Sequence, residues 1–150
     1  MEQKRLIIKV QQLLSHSVLE TDFYDRATDQ IIAPELKSAF AKYLWIRGEH
    51  IVGIKTYLLR TNHKYELPSL SPLQNERLWN FFIESVNKKD NPAILNTGIR
   101  YVRLTLNRYN NALLFSGVAD RVNGMLLRHF QEIQNILQEF SLMQNRRRVF

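Results

Sequence analysis

Apolar residues recur along this chain in steps of three and four, the spacing of one helix face, over four long stretches. In the first, about residues 4–31, the inner stripe reads Leu6, Val10, Leu13, Ser17, Glu20, Tyr24, Ala27 and Ile31. In the second, about residues 34–61, it reads Leu36, Phe40, Tyr43, Arg47, His50, Ile54 and Tyr57. Both stripes are apolar toward their ends and polar at mid-length. A guanidinium on an inward face must be paired, so another segment has to bring a carboxylate to the same depth.

The connection between these two segments supplies one. Ala33, Pro34 and Glu35 mark a helix start, with proline at the first helical position and an acid at the positive helix end. Only a few residues then separate the helices, which predicts an antiparallel hairpin. Counting from Ala33, Glu20 lies about thirteen residues before the turn and Arg47 about as far after it. At a rise of about 1.5 Å per residue the two reach the same depth. The expectation is a Glu20–Arg47 pair, with Ser17 and His50 beside it.

Residues 62–74 carry Pro68 and Pro72 with little periodicity and predict a surface connection. Ser71, Pro72 and Gln74 then form a helix-start pattern, with Ser71 as N-cap, opening a short helix over about 72–87. Its Leu78, Trp79, Phe82, Ile83 and Val86 are expected to close one end or edge of the core. Asn91 and Pro92 start a third long helix, about 92–115, with Asn91 as N-cap and a stripe of Leu95, Gly98 or Ile99, Val102, Leu106, Tyr109 and Leu113. Ser116 is expected to cap a fourth, about 117–145, with Val118, Val122, Met125, His129, Ile133 or Ile136, and Phe140 inward. His129 is the second inward imidazole, with Glu132 one turn along. The candidate buried polar layer is therefore Ser17, Glu20, Arg47, His50, His129 and Glu132. No stretch alternates with period two. The predicted fold class is all-α: four long helices as two antiparallel hairpins, joined by a long crossover that carries the short helix, all in one domain over residues 1–150.

The order and spacing of Tyr24 and Ala27, the Ala33-Pro34-Glu35-Leu36 turn, Phe40, Arg47, the aromatic crossover, and Tyr109 through Leu113 resemble the ferritin-like superfamily. The chain is most similar to small bacterial rubrerythrin-related four-helix bundles of unknown function, over about residues 17–142. The resemblance implies a possible di-iron centre, built from a Glu on each of two helices and a Glu-x-x-His pair on each of the others. This sequence departs from that set. Glu49 and His50 are neighbours and point about 100° apart. The third long helix has no acid after Asn91, and the fourth reads His129 then Glu132, the reverse order. Arg47 stands in the same layer and can serve as the cation opposite Glu20.

Composition narrows the function classes. The chain has no cysteine, which excludes disulfides, thiolate metal sites and cysteine nucleophiles. The net charge is +7, of which +5 falls in an arginine-only basic part: residues 91–150 hold eight Arg, no Lys and three acids. Arg100, Arg103, Arg108, Arg121, Arg128, Arg146, Arg147 and Arg148 are candidates for an anion-binding surface. A solubilising surface and a complement to the negative end of the last helix account for them more simply. The first residues lead straight into an amphipathic pattern, and no stretch is long and apolar enough to span a bilayer, so a soluble cytoplasmic protein without membrane contact is expected. The five glycines occur singly, and no serine elbow or phosphate-cradling loop is present.

Three functions compete. The favoured one is a non-catalytic bundle without cofactor, acting as an accessory interaction protein with a protein partner or as a homodimer; the resemblance implies a stress role. Trp45 and Trp79 are its candidate anchors, although core packing explains such residues more often. The alternative is a metal protein holding one divalent ion (Fe, Mn or Zn) on Glu20, His50 and His129. The third is weak, non-specific nucleic-acid binding through the arginines.

Overall fold

The computed structural model describes residues 4–64, 72–117 and 121–146, with the backbone alone for 72–76. Among the described residues there are five helices and no strand: α1 (Lys4–Gln30), α2 (Pro34–Arg60), α3 (Pro72–Asn87), α4 (Asn91–Phe115) and α5 (Asn123–Asn145). The described fold is all-helical. None of these helices is long and apolar enough to cross a membrane.

The α1 stripe is buried at every expected position, from Leu6 to Ile31. The α2 stripe is buried from Leu36 to Ile54, but Leu58 takes the last inward position and Tyr57 is half-buried. On α4 the buried line runs Val102, Thr105, Tyr109, Ala112, while Leu106 and Leu113, expected inward, sit at its edge. On α5, Leu126 is buried and Met125 half-buried. These shifts of one residue are rotations of about 100°, within what a half-apolar face tolerates.

Two helix boundaries differ from expectation. Asp90, not Asn91, caps α4, its carboxylate accepting the Ala93 N–H at 3.1 Å. Ser116 does not open α5. It ends α4, donating its hydroxyl to the Leu113 carbonyl and accepting from Asn123 Nδ2, and the described part of α5 begins only at Asn123. Ser71, Val118, Arg147 and Arg148 lie outside the described residues. α2 and α3 each stop in a left-handed residue, Asn62 (φ 58°) and Lys89 (φ 53°). In both, the next N–H reaches back five residues, from His63 to Leu58 and from Asp90 to Ser85.

Cross-helix contacts fix the directions. Tyr24 packs on Tyr43 and Glu20 on Arg47, so α1 and α2 are antiparallel across a three-residue connection. α4 lies antiparallel to α1, through the Tyr24 hydroxyl on the Gly98 carbonyl (2.9 Å) and Phe23 against Tyr101. α5 lies antiparallel to α2, through Lys42–Glu139 at one level and Glu35–Arg146 at another. α2 and α4 are then parallel across the diagonal, meeting where Phe40 approaches Gly98 and Arg47 meets Tyr109. A Cβ on Gly98 would stand 2.7 Å from the Phe40 ring, which is itself stacked on Phe140, so only glycine admits this approach. α3 covers the edge between α1 and α4, its Phe82 and Trp79 packing edge-on against Phe23. Trp79 also carries Arg26 over its face, 4.5 Å from the ring centroid.

Candidate functional site

At mid-length the four long helices exchange apolar packing for one closed polar network. Arg47, on α2, is fully buried and has the largest such side chain in the core. Its Nε donates to Glu20 Oε1 at 2.8 Å, one terminal nitrogen donates to His50 Nδ1 (2.7 Å) and to the Tyr109 hydroxyl (2.9 Å), and the other donates to Ser17 Oγ. The guanidinium also lies over the Tyr109 ring. Glu20 is equally occupied: its second oxygen accepts from the Tyr43 hydroxyl at 3.0 Å and from Thr105. Ser17 passes its own proton to the Leu13 carbonyl at 2.7 Å. Burial opposes the Arg47 charge, but Tyr109, Glu20 and Tyr43 outweigh it and hold the pKa above the usual guanidinium value.

Because a guanidinium can only donate, this network also sets the histidine tautomers. His50 Nδ1 must accept from Arg47, which puts the ring proton on Nε2. Tyr109 accepts from Arg47, and its own buried proton needs an acceptor, which His129 Nδ1 provides 3.0 Å away; that assignment again puts the ring proton on Nε2. The two imidazoles stack with centroids 4.0 Å apart and planes at 20°. Both are held neutral: burial, then Arg47, lower the pKa of His50 to about 2 and that of His129 to about 3. His50 Nε2 has no hydrogen-bond partner among the described residues, and the nearest Glu132 oxygen is 3.5 Å away. That contact is too long for a hydrogen bond, and with a neutral ring it is not an ion pair.

Glu132 is a correction to the expected polar layer. Its side chain is 51% exposed and stands at the rim, because Ile133 and Ile136 take the inward line of α5. The other five expected members, Ser17, Glu20, Arg47, His50 and His129, do meet in one layer. Tyr43, Tyr109 and Thr105 complete it. Thr105 was readable as the polar member of a Val102, Thr105, Tyr109, Ala112 line, but the adjacent Leu106 gives an equally good apolar stripe.

The metal-ligand candidates share that layer without converging on a common point. Both Glu20 oxygens are taken by donors, and a metal needs the lone pair of each Nε2, where the proton resides. Moving that proton to Nδ1 of His50 would set two donors against each other at Arg47. Stacking also confines the lone pairs of the two rings to nearly parallel planes, whereas two ligands of one ion must converge. Among the described residues no group of three or more His, Asp or Glu is placed to hold a metal ion.

The described arginines do not form one surface. Arg100 and Arg103 are exposed on α4, but Arg108, five residues further and about 140° around the helix, turns toward α1. Arg121 and Arg128 are exposed near the start of α5, whereas Arg146 ends it and pairs with Glu35 at 3.7 Å. Trp45 is 69% exposed rather than packed, in line with Val52 (60%) and Leu59 (62%) at seven-residue spacing on the outer face of α2. Neither a scan against protein-family models nor searches of curated proteins and of solved structures finds a match to this chain.

Proposed function

We propose that this chain is a non-catalytic four-helix bundle of ferritin-like type in which an internal ion pair stands in place of a metal centre, and that it works by binding a partner through its surface. The observation that carries this reading is the commitment of Arg47: a permanent cation at the centre of the bundle, with every neighbouring acceptor turned toward it. Such a centre offers no convergent set of lone pairs to a metal, and its two histidines stay neutral at pH 7. The direction of the helices, with α2 and α4 parallel across the diagonal, supports the ferritin-like crossover. For the surface role, the support is the Trp45, Val52 and Leu59 line. Residues seven apart drift only about 20° around a helix, so the three present one apolar ridge.

The test is metal content per chain by elemental mass spectrometry on untagged protein, before and after incubation with ferrous iron, manganese and zinc. Less than about 0.1 equivalent retained after desalting is expected, since the site offers no open ligand set. About one equivalent retained by the wild type and lost in Glu20→Ala or His129→Ala would replace this reading with a mononuclear metal protein.

A further inference from the structure

One turn of α1 before the central network, the surface between α1 and α4 opens into a cleft of about 220 Å³ lined by Lys9, Gln12, Leu13, His16, Arg108 and Asn111. Lys9, Gln12 and His16 follow at steps of three and four on α1, and Arg108 and Asn111 at a step of three on α4, so five polar side chains converge from two antiparallel helices. None of the six is acidic. Arg108 is half-buried, and among the described residues neither it nor Lys9 has a carboxylate partner. Lys9 rests over the Phe115 ring instead, 5.5 Å from its centroid. His16 Nδ1 is buried with no hydrogen-bond partner among the described residues. Glu20, whose charge partly offsets the cost of burying Arg108, already accepts from Arg47, Tyr43 and Thr105.

A half-buried guanidinium without an ion-pair partner is costly to fold around, and the cleft offers it the neutral amide oxygens of Gln12 and Asn111 but no carboxylate. We propose that this cleft binds the phosphate group of a small anion, inorganic phosphate or a phosphomonoester, between the Arg108 guanidinium, the Lys9 ammonium and the Gln12 and Asn111 amides, with the His16 ring in its wall. Two fixed positive charges match a phosphate dianion, and the guanidinium fork pairs two of its oxygens. The cleft is smaller than the roughly 300 Å³ at which sites for drug-sized ligands begin, so it accepts one phosphate group and leaves an attached alcohol moiety outside. Burial, then Arg108, lower the His16 pKa. A bound dianion opposes the Arg108 field, so binding raises that pKa and takes up protons.

The full chain is titrated with inorganic phosphate at constant ionic strength, with chloride as reference, following the His16 ring by NMR and the heat by calorimetry. One saturable site per chain is expected, with an upward move of the His16 titration. Arg108→Gln should weaken binding at least about tenfold and Lys9→Gln about threefold, as charge-assisted hydrogen bonds are lost. Lys9 is partly solvent-exposed, so Lys9→Gln carries the test if Arg108→Gln does not fold. A phosphomonoester that outbinds inorganic phosphate identifies the ligand as an ester, and the reverse order identifies free phosphate; either keeps the site. No saturable effect, equal shifts with chloride, or unchanged phosphate affinity in both variants overturns it. An oligonucleotide that binds more tightly than phosphate and is indifferent to both substitutions overturns it too. The cleft lies outside the buried network, so this result is independent of the metal measurement.

Discussion

Arg47→Met is expected to destabilise the fold by about 3–5 kcal/mol, the cost of leaving one member of a buried pair without the other. The substitution keeps much of the side-chain volume but strands Glu20 among Tyr43, Thr105 and the apolar walls. It also removes the donors to Ser17, His50 and Tyr109. In urea unfolding followed by circular dichroism the midpoint should fall accordingly, and the thermal midpoint by about 10 °C, at roughly 2–4 °C per kcal/mol for a chain of this size. Glu20→Met should cost a similar amount. The double variant is the sharper comparison: with both charges gone no uncompensated ion remains, so it should be more stable than either single variant. Single substitutions costing under about 1 kcal/mol would mean that solvent reaches the pair, as at an exposed ion pair.

Acidification is expected to unfold the protein through His50 and His129. Their folded pKa values, about 2 and about 3, lie below the ordinary 6.5. Between those values the unfolded chain binds protons that the folded chain refuses, so stability is fully present above about pH 6.5 and falls as the pH drops toward 3. Each histidine should contribute on the order of 1–2 kcal/mol of loss by about pH 5, before most carboxylates titrate. His16, also lowered, adds in the same direction. Urea midpoints measured between about pH 7 and 5 should therefore decline, and His129→Leu should flatten the decline by about one proton's worth while lowering stability at neutral pH. A flat profile, or one that rises on acidification, would show that these rings are charged or solvated in the native state.

Much of this architecture is legible in the residue order. A three-residue turn at Ala33 and a strict helical period tie Glu20 to Arg47, because both sit at equal distances from a fixed point. The inward placement of His50 follows from the same stripe. The ambiguity begins where the apolar face is wide. On α4, Leu106 and Leu113 compete with Thr105 and Ala112, and choosing between them needs to know that Glu20 waits on α1 for a hydroxyl. A polar contact 85 residues apart in sequence, Thr105 to Glu20, has no local signature. The depth of His129 relative to His50 depends on the crossover and on where α5 begins, and neither follows from periodicity. Trp45 failed the simple rule that tryptophan is core: its neighbours Leu44 and Ile46 are half-buried while its own ring faces outward. The cleft around Arg108 also could not be anticipated from charge alone, since the same arginine read along α4 looks like one of a basic series.

With Arg47 rather than a metal ion at the centre of the buried layer, the most specific consequence is the tautomer of two histidines. Long-range proton–nitrogen NMR correlation on nitrogen-15-labelled protein reads this directly. At about pH 7, with and without added ferrous iron, manganese or zinc, His50 and His129 should both appear as neutral rings carrying the proton on Nε2, with Nδ1 as acceptor and no change on adding metal. Rings protonated on Nδ1, or Nε2 signals that shift or broaden at one equivalent of metal, would contradict the account and return Glu20, His50 and His129 to the role of ligands.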